Sequence, residues 1–186
     1  MIQKHINEKI LLYRIRKGDT DSFAPIYDFF NEKIYRFIYL KVPTAQDAED
    51  ISAEVFLKLW QYVREQKKIK SLQALLYQIA RNSVVDFYRK KGTHMESLDE
   101  QEIVIADRSD LSLEEKMTLK SDMAEVEGAL RKIKDSYREV IVMHFLNELS
   151  LHEIAGVIGK SSGAVRVLLH RGMKTLKTLL EHEKAV

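Results

Sequence analysis

Apolar residues along this chain recur at three- and four-residue intervals and almost nowhere alternate, which is the helical period and not the strand period. A first such stretch covers residues 8–17 and breaks at Gly18 and Asp19. A second, from about 20 to 40, places Phe23, Ile26, Tyr27, Phe30, Ile34, Phe37 and Ile38 on one stripe, and Pro43 ends it. Thr44 and Asp47 suit the start of a third helix with Ile51, Val55, Leu59 and Val63 inward. After a basic stretch from 64 to 70, Ser71 suits the start of a fourth, carrying Leu72, Leu75, Leu76, Ile79, Val84 and Phe87 as far as Gly92. With only Pro25 and Pro43 as prolines and no sustained alternating pattern, the expected fold is all-α.

Beyond residue 111 the same period returns. One helix is expected over 112–133, and a second, capped by Ser136 with Glu139, carries Val140, Ile141 and Phe145. Ser150 and Glu153 then have the spacing of a capping box, in which each side chain takes up the other's backbone N–H. Leu151, Ile154, Ala155 and Ile158 form the buried stripe of that helix, leaving His152 and Glu153 to water. Gly159 permits the positive φ of a tight corner. Ser161 or Ser162 can cap the last helix, with Val165, Leu168, Leu169 and Leu176 inward and Arg166, His170, Arg171, Lys174 and Lys177 outward. No acid stands between Lys160 and Leu180. A short helix, a glycine corner and an acid-free basic helix make a helix-turn-helix, whose second helix must lie against base edges and phosphates without repelling them.

Charge divides the chain. Between Gly92 and Glu115 the acids Glu96, Asp99, Glu100, Glu102, Asp107, Asp110, Glu114 and Glu115 face only Arg108, and the helical period lapses, as in a linker. The expected organisation is a domain over 1–91, an acidic linker over 92–115 and a helix-turn-helix domain over 116–186. The linker reads either as a solvated tether or as a nucleic-acid mimic threading a channel. At 186 residues and 45% hydrophobic content the chain can bury a core in each part. The net charge of +2 is modest, so any nucleic-acid surface must come from how charge is distributed. The chain has no cysteine, and its histidines are scattered. Neither the phosphate loop, the nucleophile elbow nor a di-iron pattern occurs, so no metal, no cofactor and no catalysis are expected. Charged residues through the opening segment and the lack of an apolar stretch near about 18 residues point to a cytoplasmic protein without a membrane span.

Two stretches of the first domain carry a resemblance. Asp47-Ala48-Glu49-Asp50-Ile51-Ser52-Ala53-Glu54-Val55-Phe56-Leu57-Lys58-Leu59-Trp60 resembles the polymerase-binding stretch of the sigma-70 family. Leu76-Tyr77-Gln78-Ile79-Ala80-Arg81-Asn82 is similar to the promoter-reading helix of its extracytoplasmic-function (ECF) group. Tyr137-Arg138-Glu139-Val140-Ile141 and the helix-turn-helix follow in the family's order, so the resemblance covers nearly the whole chain. It implies a dissociable sigma factor with two partners: RNA polymerase core, gripped at the clamp helices of its largest subunit and at its flap, and promoter DNA. An anti-sigma factor is a further candidate partner.

By the same resemblance, Asp47, Asp50, Glu54, Leu57 and Trp60 would bind polymerase as an acidic surface with an apolar centre. Asn82 would read an extruded base of the minus-ten element, with Tyr77 beside it, Lys67, Lys68 and Lys70 in the specificity loop, and Arg81, Arg89 and Lys90 as positioning cations. Lys160, Ser161, Ser162, Arg166, Val167, His170, Arg171 and Lys174 would meet the minus-thirty-five element, with Arg166 and Arg171 the base readers. Ala53, Leu75 and Lys134 depart from the residues usual in the family. A competing reading, a stand-alone helix-turn-helix regulator binding operator DNA as a dimer, leaves the first ninety or so residues without a role.

Overall fold

The structure is a computed structural model that describes residues 7–92 and 120–183. Most of the acidic linker, the expected helical turns over 112–119 and the two chain ends lie outside the described residues. Among the described residues eight α-helices run in order: α1 Glu8–Arg16, α2 Ala24–Tyr39, α3 Ala45–Arg64, α4 Leu72–Lys90, α5 Lys120–Lys132, α6 Asp135–Ile141, α7 Leu151–Ile158 and α8 Ser162–Glu183. A 3-10 turn, Asp21–Phe23, precedes α2, and a π-helical turn, Val142–Leu146, continues α6. No strand occurs among the described residues.

The starts of the helices follow local side-chain chemistry. Asn7 Oδ1 accepts the Ile10 N–H at 3.3 Å, Thr44 Oγ1 accepts that of Asp47 at 3.0 Å, and Ser71 Oγ accepts that of Ala74 at 3.2 Å. Each satisfies one of the four N–H groups that a helix start leaves without an intrahelical partner. The Ser150–Glu153 capping box is complete, Gly159 turns the corner at φ 68°, and Ser161, not Ser162, caps α8 through the Ala164 N–H at 3.2 Å.

In the N-terminal half, α2, α3 and α4 pack on one another and α1 lies against α3. Phe30, Ile34, Phe37, Ile38, Val55, Leu59, Leu76 and Val84 are buried at their centre, each such side chain contributing roughly 1.5–3 kcal/mol on leaving water. Tyr27, expected inward, is instead 42% exposed and leans on Phe56 with ring centroids 4.7 Å apart. In the C-terminal half, α8 crosses α6 closely. A Cβ added at Gly172 would lie 3.0 Å from both Ile141 Cδ1 and Tyr137 Cβ, so a side chain there would have to press both neighbours back by a few tenths of an ångström.

Two expectations for α6 fail, each for its own reason. Lys134 is extended and the helix begins at Asp135, so Ser136 lies inside the first turn and caps nothing. Glu139 is buried and faces Lys41 in the other half. The π turn then adds a residue to the repeat, which carries Phe145 out to 54% exposure instead of into the core.

The two halves meet across α4 and α7 and at the end of α2. The last carbonyl of α2 and those of the two residues that follow it are taken up from outside the helix. Arg131 Nη2 donates to Tyr39 O at 2.9 Å, Arg138 Nη1 to Leu40 O at 2.8 Å and the Tyr88 hydroxyl to Lys41 O at 2.8 Å. Cations are favoured at the carbonyl end of a helix, and here the other half supplies both of them. The fully buried Arg138 also donates to Leu130 O, Arg131 O and Ile133 O, which ties the α5–α6 corner to the same point.

Candidate polymerase and nucleic-acid interface

On α8 the outward residues form a continuous face. Arg166, Val167, His170, Arg171 and Lys174 are all exposed, while Val165, Leu169 and Leu176 are buried beneath them. Arg166, Arg171 and Lys174 have no ion-pair partner among the described residues, whereas Lys177 pairs with Glu181 at 3.6 Å. Lys160 and Ser161 are exposed on the corner, and Ser162 is half-buried at the start of the helix. A helix of 22 residues is about 33 Å long, and a face of this kind fits the major groove of B-DNA.

On α4, Asn82 is exposed, and Lys67, Lys68 and Lys70 project from the loop that precedes the helix. Arg89 pairs with Asp86 at 3.1 Å and stays largely in solvent, next to the exposed Lys90. Tyr77 is no part of this surface. It is fully buried with its ring edge-on to Phe37 at 5.2 Å, its hydroxyl has no partner among the described residues, and burial pushes the phenol far above its ordinary titration range. The reason is helical register: Tyr77 shares the inward stripe with Ala80 and Val84, while Gln78 and Asn82 lie on the outward one.

Arg81 has a different neighbour from the one expected. Its Nε donates to Glu139 Oε1 at 3.1 Å, the same oxygen that receives Lys41 Nζ at 3.2 Å. Lys41 also donates to Asp135 Oδ2 at 2.8 Å. Burial pulls the Lys41 ammonium down, but the facing Asp135 and Glu139 outweigh it and hold the group above its usual range. Burial likewise opposes the charge on Asp135, and Lys41 and Arg138 overcome it, holding that carboxyl below its usual range. At the other end of the seam, Ser71 Oγ donates to Glu153 Oε1 at 3.1 Å and Gln73 Nε2 to Asn147 O at 2.6 Å. Glu153 is therefore half-buried against α4, one carboxylate oxygen on Ser71 and the other on Ser150, and does not stand wholly in water as its outward stripe suggests. Nothing in the periodicity flags Lys41. Its position between Leu40 and Val42, inside an otherwise apolar run, is the one trace of burial the sequence carries.

On α3, Asp50 and Leu57 are exposed, the latter to 57%. Asp47 is half-buried, accepting the Thr44 hydroxyl at 2.6 Å and facing Lys91 Nζ at 3.4 Å. Glu54 pairs with Lys58 at 2.6 Å. Trp60 is half-buried and meets Phe23 edge-on at 5.2 Å, so its ring serves the packing of α3 on the turn before α2 and shows only one side to solvent. Among the described residues no group of His, Asp and Glu is arranged to hold a metal ion.

Fold and surface together define a helical protein that carries a basic helix-turn-helix at one end and an acidic, partly apolar helix face at the other. Residues 27–93 match the sigma-70 region 2 family and residues 123–176 the sigma-70 region 4 family. The chain is 30% identical to the ECF RNA polymerase sigma factor SigW of Bacillus subtilis over 97% of both chains, and 24% identical to SigX of the same organism over 87% of this chain and 84% of that one. Its fold is that of CnrH, solved in complex with the cytosolic domain of CnrY (TM-score 0.71, 21% identity, 94% of this chain and 97% of that one). It is also that of RpoE from Bartonella quintana, solved with the anti-sigma factor NepR (TM-score 0.69, 20% identity, 87% and 98%). The chain belongs to the sigma-70 family, among its ECF RNA polymerase sigma factors. The region 2 match accounts for the N-terminal half, which a stand-alone regulator leaves unexplained.

Proposed function

We propose that this sigma factor divides promoter recognition between its two halves. Residues 1–91 hold RNA polymerase core and open the minus-ten region, residues 92–115 connect, and residues 116–186 read the minus-thirty-five region. Polymerase docks on α3 through Asp50, Leu57 and the solvent side of Trp60, with Asp47 and Glu54 at the edge. Asn82 reads the extruded base, and Lys67, Lys68, Lys70, Arg89 and Lys90 hold the strand's phosphates. On α8, Arg166 and Arg171 read base edges while Val167 and His170 shape the contact and Lys160, Ser161 and Lys174 meet the backbone.

The observation that carries this reading is the α8 face, a row of exposed cations without ion-pair partners among the described residues, set on a helix whose other side is committed to the core. Size sets a further condition: the closed form described here is too short to span a promoter. Elements centred about 25 base pairs apart lie roughly 85 Å apart on B-DNA at about 3.4 Å per pair. A compact chain of this length has a radius of gyration near 16 Å, by an order-of-magnitude scaling of about 2.2 Å times the 0.38 power of length. The halves must part, and parting releases Arg81 from Glu139 beside Asn82. An anti-sigma factor would act by holding the halves in a form that cannot span the site. The protein works in the cytoplasm and catalyses nothing itself; no described helix is long and apolar enough to cross a membrane.

The test is run-off transcription with polymerase core beside a core-binding assay. Arg171→Ala should lose promoter-directed transcript and keep core affinity, while Leu57→Asp should lose both. Loss of core affinity in Arg171→Ala would break the proposed division.

A further inference from the structure

The loop between α3 and α4, residues 65–71, has no regular structure, yet it carries Lys67, Lys68 and Lys70. Its backbone turns at Gln66, which sits at φ 57°, a left-handed conformation that a non-glycine residue holds only with support from its surroundings. The support comes from α1. Arg16 Nη2 donates to Lys67 O at 2.7 Å across 51 positions of sequence, a short charge-assisted bond. At the other end of α1, the Leu72 N–H lies against the Glu8 carboxyl. Between that bond and this approach, Leu12 and Ile15 are buried and fix α1 to the core.

Nine residues of helix are about 13 Å long, and the five steps from Lys67 to Leu72 reach at most about 17 Å, so the two ends of α1 can meet the two ends of the loop. Ile69 anchors the middle of the loop against the core, while the three lysines stay outward. Lys67 is further steadied by its pairing with Glu65 and by its place 5.2 Å from the Tyr62 ring centroid.

We infer that α1 is a splint for this basic loop and that Arg16 is a positioning residue for minus-ten recognition, holding the Lys67 carbonyl so that the loop presents one shape to the strand. This rests on the assignment of the loop to the minus-ten element proposed above. Arg16 touches no base. It acts through the loop backbone, and the planar fork of a guanidinium suits that task better than the point charge of an ammonium.

The test uses the full chain with polymerase core on one promoter and on its single-base minus-ten substitutions, with opening read by permanganate reactivity of the melted thymines. Arg16→Ala should lower the ratio of cognate to substituted opening by about tenfold, the loss of one hydrogen bond from a charged donor. Core affinity should not change, and amide exchange over 66–72 should quicken. Arg16→Lys should recover part of the ratio. A double variant, Lys68→Ala with Lys70→Ala, tests the loop itself and should weaken opening on every promoter. If that double variant opens all promoters as the native chain does, the minus-ten assignment of the loop fails and the inference goes with it. If it weakens opening while Arg16→Ala keeps the native ratio, the role given to Arg16 alone is overturned. Equal loss of core affinity and of opening on every promoter in Arg16→Ala would also overturn it, since a general brace of the fold would do that.

Discussion

Glu139 Oε1 lies 3.1 Å from Arg81 Nε, so a carboxylate of the C-terminal half holds a cation of the helix that carries Asn82. The same oxygen receives the buried Lys41, whose side chain is only 4% exposed. The C-terminal half thus covers Lys41 and engages Arg81 of the N-terminal half, and on the proposed separation of the halves both would be released.

Glu139→Gln should loosen this seam. Removing one partner from a buried ion pair typically costs about 3–5 kcal/mol. Asp135 still faces Lys41, and the share of Arg81, 35% exposed, is small. A loss of about 2–3 kcal/mol is expected, a drop of roughly 5–10 °C in unfolding temperature for a chain of this size. Thermal unfolding followed by circular dichroism measures it, and an unchanged midpoint would remove the ion cluster from the stability of the closed form.

Tyr77→Phe removes a buried hydroxyl that has no partner among the described residues. The variant should be as stable as the native chain or more so by up to about 1 kcal/mol, and it should open promoters normally. A fall in opening with stability intact would return Tyr77 to the strand-binding surface.

The seam should also set a pH window. The Asp135 carboxyl is held below its usual range by Lys41 and Arg138 against the opposing effect of burial, so its contribution is present above the ordinary carboxylate value and lost as pH falls through its lowered folded value. Lys41 is raised, again against burial, so its contribution is present below the ordinary ammonium value and lost as pH rises through the folded one. Tyr88, whose hydroxyl holds Lys41 O and whose phenol burial pushes up to about 12, stays protonated across the plateau. Unfolding temperature should therefore be flat near neutrality and fall on both sides, and Lys41→Met should flatten the alkaline fall.

Opening itself can be watched, because the chain has no native cysteine to compete for labels. Gln61→Cys and Thr178→Cys place dyes at exposed positions on α3 and α8. Energy transfer between them should be high in the free chain and should drop on adding polymerase core with promoter. Unchanged transfer would mean that the closed form is also the working one.

Helix starts are legible in the sequence because Thr44, Ser71 and the Ser150–Glu153 pair act within three residues of themselves, and their bonds form as the spacing requires. The exposed basic face of α8 is legible for a similar reason, since helical period alone separates Arg166 and Arg171 from Val165 and Leu169. Tyr77 is not, because a family motif marks a stretch without saying which side chains face out, and local register decides it. Lys41, Glu139, Ser71 with Glu153, and Arg16 with Lys67 leave no legible sign of their pairing. Their partners lie 51 to 98 positions away, and no local pattern encodes a contact over that distance. Phe145 is lost to one π turn, a single added residue that rotates the side chains after it.

Selection of promoters from a random DNA library, with polymerase core and either the native chain, Asn82→Ala or Arg171→Ala, tests the division of labour most directly. The native chain should recover sequences with two blocks about two and a half helical turns apart at about 10 base pairs per turn. Arg171→Ala should relax the upstream block alone and Asn82→Ala the downstream block alone. Recovery of one palindromic block without polymerase, or simultaneous relaxation of both blocks by either substitution, would contradict it.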